Sequence, residues 1–88
     1  MKILIDKTFD KDTRKITSKK LLNAIADCIE NVREANKIGD IKNCKKLKGS
    51  KDAYRIRIGV YRIGLVYEKK TMEFVRLLHS NKIYDAFP

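Results

Sequence analysis

Histidine is nearly absent from this 88-residue chain: it occurs once, as does proline, with cysteine twice, glycine four times, and 11 acids against 21 bases. Each scarcity removes a class of protein. One histidine, two cysteines far apart (Cys28 and Cys44) and no clustered carboxylates do not make a metal ligand set, so neither a metal nor a cofactor is expected. Met1 to Ile5 is far too short for a secretory signal, and without one both thiols are expected to stay reduced. No apolar run approaches the roughly 20 residues of a membrane helix, which leaves a soluble, cytoplasmic protein as the expectation and no membrane among its partners. No glycine-rich phosphate loop precedes a helix, and nothing points to a Ser-His-Asp arrangement. Repeats, low-complexity tracts and linker-like segments are missing too. Residues 1–88 are therefore read as one domain, with room for a single core. A hydrophobic content of 43% argues against disorder.

What is abundant is positive charge, a formal +10. Such a balance says little about fold and much about partners: nucleic acid, or an acidic protein. The cations are spread over several segments instead of one amphipathic helix, which ranks a membrane surface last.

The organising stretch is Tyr54 to Tyr67. Tyr54, Ile56 and Ile58 alternate with Arg55 and Arg57, the period of two of a half-buried strand. Gly59-Val60 breaks the pattern, and glycine first in a two-residue loop suits a type II′ hairpin turn. On the return, Tyr61, Ile63, Leu65 and Tyr67 share the core face, while Arg62, Gly64 and Val66 share the other. Arg55, Arg57 and Arg62 thus converge on a face the core does not need. Single strand arginines are usually just solvated. Three from paired strands repel one another and point to an anionic ligand. Gly64, on the arginine side, leaves room for something to approach the backbone.

Around the hairpin, Lys2 to Ile5 reads as a short strand and Lys7 to Lys15 as a short helix anchored by Phe9 and Ile16. Leu21, Leu22, Ile25, Ile29 and Val32 recur at helical spacing, with Cys28 and Ala35 on the same stripe. The spacing predicts a helix from a Thr17 or Ser18 cap to a stop at Gly39, about five turns long. Gly39 to Asp52 reads as a connector pinned by Ile41 and Leu47, and its Lys45, Lys46, Lys48 and Lys51 extend the basic surface. After a turn at Glu68 to Thr71, Met72 to His79 is apolar on both faces, as suits a central strand, with Arg76 the odd residue and a further candidate nucleic-acid contact. Ile83 to Phe87 closes the chain with a turn of helix. The expected architecture is α+β: a small, antiparallel-rich sheet of about four strands with two N-terminal helices on one face.

His79, the only histidine, ends the strand next to the arginine hairpin. An imidazole can give or take a proton near neutral pH. Cleaving RNA through its own 2′-hydroxyl needs such a group, plus cations to hold the charge on the phosphorane. Arg55, Arg57 and Arg62 supply the cations and His79 the proton transfer. Tyr54, Tyr61, Tyr67 and Tyr84 are candidate stacking or hydroxyl partners; the first three read as core-facing, and Tyr84 in the tail as the open one.

These residues form a pattern. Leu47, Gly49, Tyr54-Arg55-Ile56-Arg57 and Tyr61-Arg62, with Phe74 to His79 and the ending Ile83 to Pro88, resemble the signature of the RelE/ParE toxin superfamily of toxin–antitoxin modules over nearly the whole chain. The resemblance implies a ribosome-dependent endoribonuclease that cuts messenger RNA and halts translation. It implies RNA-backbone contacts at Arg55 and Arg57, stabilisation of the scissile phosphate at Arg62, a histidine at His79 and a C-terminal aromatic at Tyr84 or Phe87. It also implies an acidic, partly disordered antitoxin partner that folds as it wraps the toxin. Ser80 and Asn81 stand where relatives often carry an arginine, and Val60 where many have Asp or Asn. A ParE-like gyrase inhibitor and a non-catalytic basic nucleic-acid-binding module are the alternatives.

Overall fold

The computed structural model of the protein describes residues 1–88. Five strands, β1 (Lys2–Ile5), β2 (Cys44–Lys46), β3 (Ala53–Ile58), β4 (Tyr61–Glu68) and β5 (Thr71–His79), form one sheet in the order β1-β5-β4-β3-β2. Three helices, α1 (Lys7–Arg14), α2 (Lys19–Glu34) and α3 (Ile83–Ala86), complete the chain with a 3-10 turn at Ile38–Asp40. β1 runs parallel to β5; the other pairs are antiparallel. The α+β class, the hairpin and the central position of β5 are as the residue pattern predicts.

Between β3 and β4, Gly59 has φ +56° and Val60 keeps a negative φ, the pattern of a type II′ turn. Between β4 and β5, Lys69 and Lys70 both have positive φ (50° and 63°), the geometry that Asn-Gly adopts with less strain. The alternation sorts the side chains. Ile56, Ile63, Leu65, Met72, Phe74 and Leu77 form the larger core with Phe9 of α1 and Ile25 and Val32 of α2. Phe9 meets Phe74 edge-on at 5.4 Å. On the opposite face Leu47, Ala53, Ile83 and Phe87 make a smaller core with Val66, Val75 and Leu78. β5 serves both cores through a bulge: Leu65 pairs with Phe74 and Gly64 with Arg76, so Val75 has no partner on β4.

Asp6 caps α1, its carboxylate accepting the Thr8 N–H at 2.9 Å, and that bond holds its pKa below the ordinary carboxylate value. Ser18 Oγ caps α2 by accepting the Leu21 N–H at 3.2 Å.

Two expectations are corrected. The sheet has five strands, not about four, because Cys44–Lys46, read as connector, pairs with Tyr54 to Ile56 of β3. Three residues with two adjacent lysines carry no periodic signal; the pairing comes from the edge that β3 offers. α2 ends at Glu34, not near Gly39. Ala35 is buried and turns extended (ψ 139°), and the Met1 ammonium takes the carbonyls of Arg33 and Ala35 at 2.6 and 3.1 Å. A charge from the far end of the sequence thus satisfies the helix end, where a glycine cap was expected.

Candidate functional site

The hairpin register fixes where its cations go. Arg55 lies opposite Gly64 and, on its other side, opposite Lys45 of β2; Arg57 lies directly opposite Arg62. These residues share the face of the smaller core, away from α1 and α2. Backbone carbonyls orient two of the guanidiniums. Arg55 donates to Asn43 O at 3.1 Å, and Arg62 donates to both Gly59 O and Tyr61 O at 2.9 Å. No carboxylate neutralises any of the three. The chain's other arginines are all ion-paired: Arg14 with Asp10, Arg33 with Glu30 and Arg76 with Asp12. Arginine is therefore used in two ways, matched to acids elsewhere and left unmatched on the hairpin. Like charges directly opposite across a ladder cost stability, and an anion bound between them would relieve that cost.

Beside Arg55 runs a groove lined by Lys45, Lys46, Lys48, Tyr84, Phe87 and Pro88. The tail builds its far wall. Ile83 and Phe87 are buried, which leaves Tyr84 between them 63% exposed. Phe87 seats where Gly64 leaves space: a Cβ on Gly64 would lie 2.6 Å from the ring. The sequence signal for this contact was a glycine on the arginine side of β4; what approached the backbone is the chain's own phenylalanine. Sequence reasoning also missed Asn43, whose carbonyl accepts both the Arg55 guanidinium and the Arg57 N–H. Its φ of 60° is of the kind asparagine tolerates.

The remaining sequence candidates lie elsewhere. Lys51 is exposed outside the groove. Arg76 is tied to Asp12 of α1, its Nε 2.9 Å from Oδ2. His79 pairs in register with Tyr61, and the two rings meet edge-on at 5.9 Å. Tyr61 packs against the larger core, so this pair belongs to the helix side of the sheet. His79 and Arg62 occupy the same end of the sheet on opposite faces. Asn81 Oδ1 lies 2.9 Å from His79 Nδ1, a contact that sequence reasoning did not anticipate. The groove therefore brings together Lys45, Lys46, Lys48, Arg55 and Tyr84, with Arg57 and Arg62 farther along the same face, and it leaves His79, Lys51 and Arg76 out.

Cys28 and Cys44 are both free and half-buried. Burial pushes the Cys28 thiol up to about 11, with a smaller contribution from Cys44, and burial raises Cys44 against the opposing pull of Arg55. Neither is a thiolate nucleophile at neutral pH. No three His, Cys, Asp or Glu side chains gather in a way that would hold a metal ion, and no helix is long and apolar enough to cross a membrane.

Residues 3–84 match the family model described as ParE toxin of type II toxin–antitoxin system, parDE. The chain is 42% identical to Toxin RelE3 of Methanocaldococcus jannaschii, with all of both chains covered. Its fold is similar to a chain in the RelB–RelE antitoxin–toxin complex from Methanococcus jannaschii (TM-score 0.79, 40% identity, 97% of this chain and 99% of that one). A chain in the archaeal RelE–RelB complex from Pyrococcus horikoshii shares the fold at 21% identity and a TM-score of 0.70, over 93% and 97% of the two chains.

Proposed function

This chain belongs to the RelE/ParE toxin superfamily of type II toxin–antitoxin systems, and from that membership we propose that it is a RelE-type messenger RNA interferase. On this reading it binds the RNA backbone across the arginine face, cuts translated message in the cytoplasm at the ribosome, and is neutralised by a cognate acidic antitoxin. The observation that carries the reading is the split in arginine use: the hairpin's Arg55, Arg57 and Arg62 have no carboxylate partner, while the three arginines elsewhere are paired. Fixed guanidiniums hold the extra negative charge of a phosphorane, and those anchored on backbone carbonyls need little reorganisation to do so. Tyr84 is the hydroxyl on that face that can hand a proton to the leaving 5′ oxygen. His79 ends β5 at the same end of the sheet as Arg62 but on the opposite face, so the proton transfer on this reading is assigned to Tyr84 and not to the histidine. RelB–RelE complexes among the structural relatives support an antitoxin partner.

Primer extension on a defined message in a reconstituted translation system, with and without ribosomes, tests the proposal. Cuts confined to translated message are expected. Arg62→Ala and Tyr84→Phe should each lower the cleavage rate by about 100-fold or more, the scale of losing a group that acts in the transition state, with His79→Ala costing less. Intact message with translation still running would overturn the interferase reading. The ParE description of the matching family model favours a second one, inhibition of DNA gyrase, read by a supercoiling assay.

A further inference from the structure

Two of the hairpin cations are held by carbonyls of residues with left-handed backbone. Arg62 donates to Gly59 O, and Gly59 has φ +56°; Arg55 donates to Asn43 O, and Asn43 has φ 60°. For Gly59 the hairpin turn alone accounts for the conformation. Asn43 is not a hairpin residue. It leads into β2, whose Cys44 lies opposite Ile56, and its carbonyl continues that ladder by accepting the Arg57 N–H at 3.2 Å. A carbonyl oxygen has two lone pairs, and Arg55 Nη1 donates to the same oxygen at 3.1 Å. The Asn43 side chain is exposed, so burial does not select it. Asparagine is one of the few residues besides glycine that visit a left-handed φ readily. One residue earlier, the Lys42 N–H donates to Asn31 Oδ1 at 3.3 Å, which ties this stretch to α2. Asn43, Cys44, Lys45, Arg55 and Arg57 line one cleft, and Arg55 lies close enough to Cys44 to oppose the rise in its pKa.

We propose that Asn43 is a positioning residue for RNA binding: its left-handed backbone aims one carbonyl at the Arg55 guanidinium and holds that cation in place for a phosphate. The proposal rests on the interferase reading above and deepens it by naming a residue that acts without touching the substrate. The need for a turn into β2 explains the φ of Asn43. It does not explain the second donor on the carbonyl, which comes from a side chain the core does not use. An arginine already held in this way loses less freedom when an anion arrives, and the saving appears as affinity.

The probe is a non-cleavable 2′-O-methyl RNA, titrated against the full chain, Asn43→Ala, Asn43→Gly, Arg55→Ala and the Asn43→Ala/Arg55→Ala double variant. Alanine disfavours the left-handed φ and should swing the carbonyl away, weakening RNA binding by about two- to tenfold, the scale of ordering one long side chain on binding. Asn43→Gly keeps that φ accessible and should bind as the wild type does. In the Arg55→Ala background, Asn43→Ala should cost nothing further. A merely structural fault would also displace Lys45 and Lys46 of β2, and its cost would persist in that background. Nitrogen NMR of the Arg55 guanidinium, read without RNA, should show hindered rotation in the wild type and Asn43→Gly and free rotation in Asn43→Ala. Additive losses, wild-type affinity in Asn43→Ala, an equal loss in Asn43→Gly, a freely rotating Arg55 in the wild type, or no RNA binding by the wild-type chain would each overturn the proposal. If the wild type leaves translated message intact while the double-mutant cycle still couples Asn43 to Arg55, the interferase reading falls and the role of Asn43 stands.

Discussion

Asp12 shows how one side chain can secure an irregular strand. β1 accompanies β5 only as far as Phe74. Beyond that point the Leu77 N–H would be left at a buried edge, and Asp12 Oδ2 accepts it at 2.9 Å while also holding Arg76 Nε at 2.9 Å. Asp12→Ala removes one acceptor from two donors. It should cost about 3 kcal/mol, the low end for breaking a buried pair because Arg76 keeps some access to water. Asp12→Asn retains an oxygen for Leu77 and should cost about half as much. Urea unfolding reads both as a lower midpoint at unchanged slope; a wild-type midpoint in Asp12→Ala would show that the pair adds nothing. At this scale the sequence was uneven. The arginine face was legible because a period of two assigns faces without further information. The role of Arg76 was not, because its partner is 64 residues away.

Among the elements, the tail carries the most consequence for its size. α3 is four residues long and makes almost no structure of its own. It is held by Ile83 and Phe87, and through them it places Tyr84 over the groove. Gly64→Ala drives a methyl into the Phe87 ring. Overpacking of this kind costs about 1–3 kcal/mol, and releasing the tail is the cheapest way to avoid it. Faster amide exchange at Phe87, whose N–H bonds Ile83 O at 2.8 Å, is expected together with weaker RNA cleavage. An unchanged exchange rate would mean that the sheet, not the tail, absorbs the methyl. The glycine was visible in the sequence. Its occupant was not, because nothing local says that the last residues return to the face opposite α1 and α2.

For the whole molecule the governing quantity is the +10 charge and its distribution. Binding to a non-cleavable 2′-O-methyl RNA should weaken steeply with salt, since each phosphate neutralised on a single strand contributes about −0.7 to the slope of log K against log salt. Lys48 lines the groove and Lys51 does not. Lys48→Ala should flatten that slope by about 0.7 and Lys51→Ala should leave it unchanged. Equal effects from the two would mean that the RNA reads a diffuse field instead of the groove.

By itself the sequence determined the α+β class, the hairpin and its turn, both helices before it, the central strand and the arginine face. All of these follow from periodicity, turn chemistry and caps, which act over a few residues. Only the tertiary structure decided the rest. A fifth strand formed from three residues with no pattern because β3 had an open edge to pair with. α2 stopped at Glu34, where buried Ala35 turns extended and the Met1 ammonium takes the carbonyls of Arg33 and Ala35. His79 fell on the helix side of the sheet, opposite Tyr61, because a bulge at Val75 resets which way the last residues of β5 point. Pairing, capping and register each join segments distant in sequence, and no local pattern encodes where such segments meet.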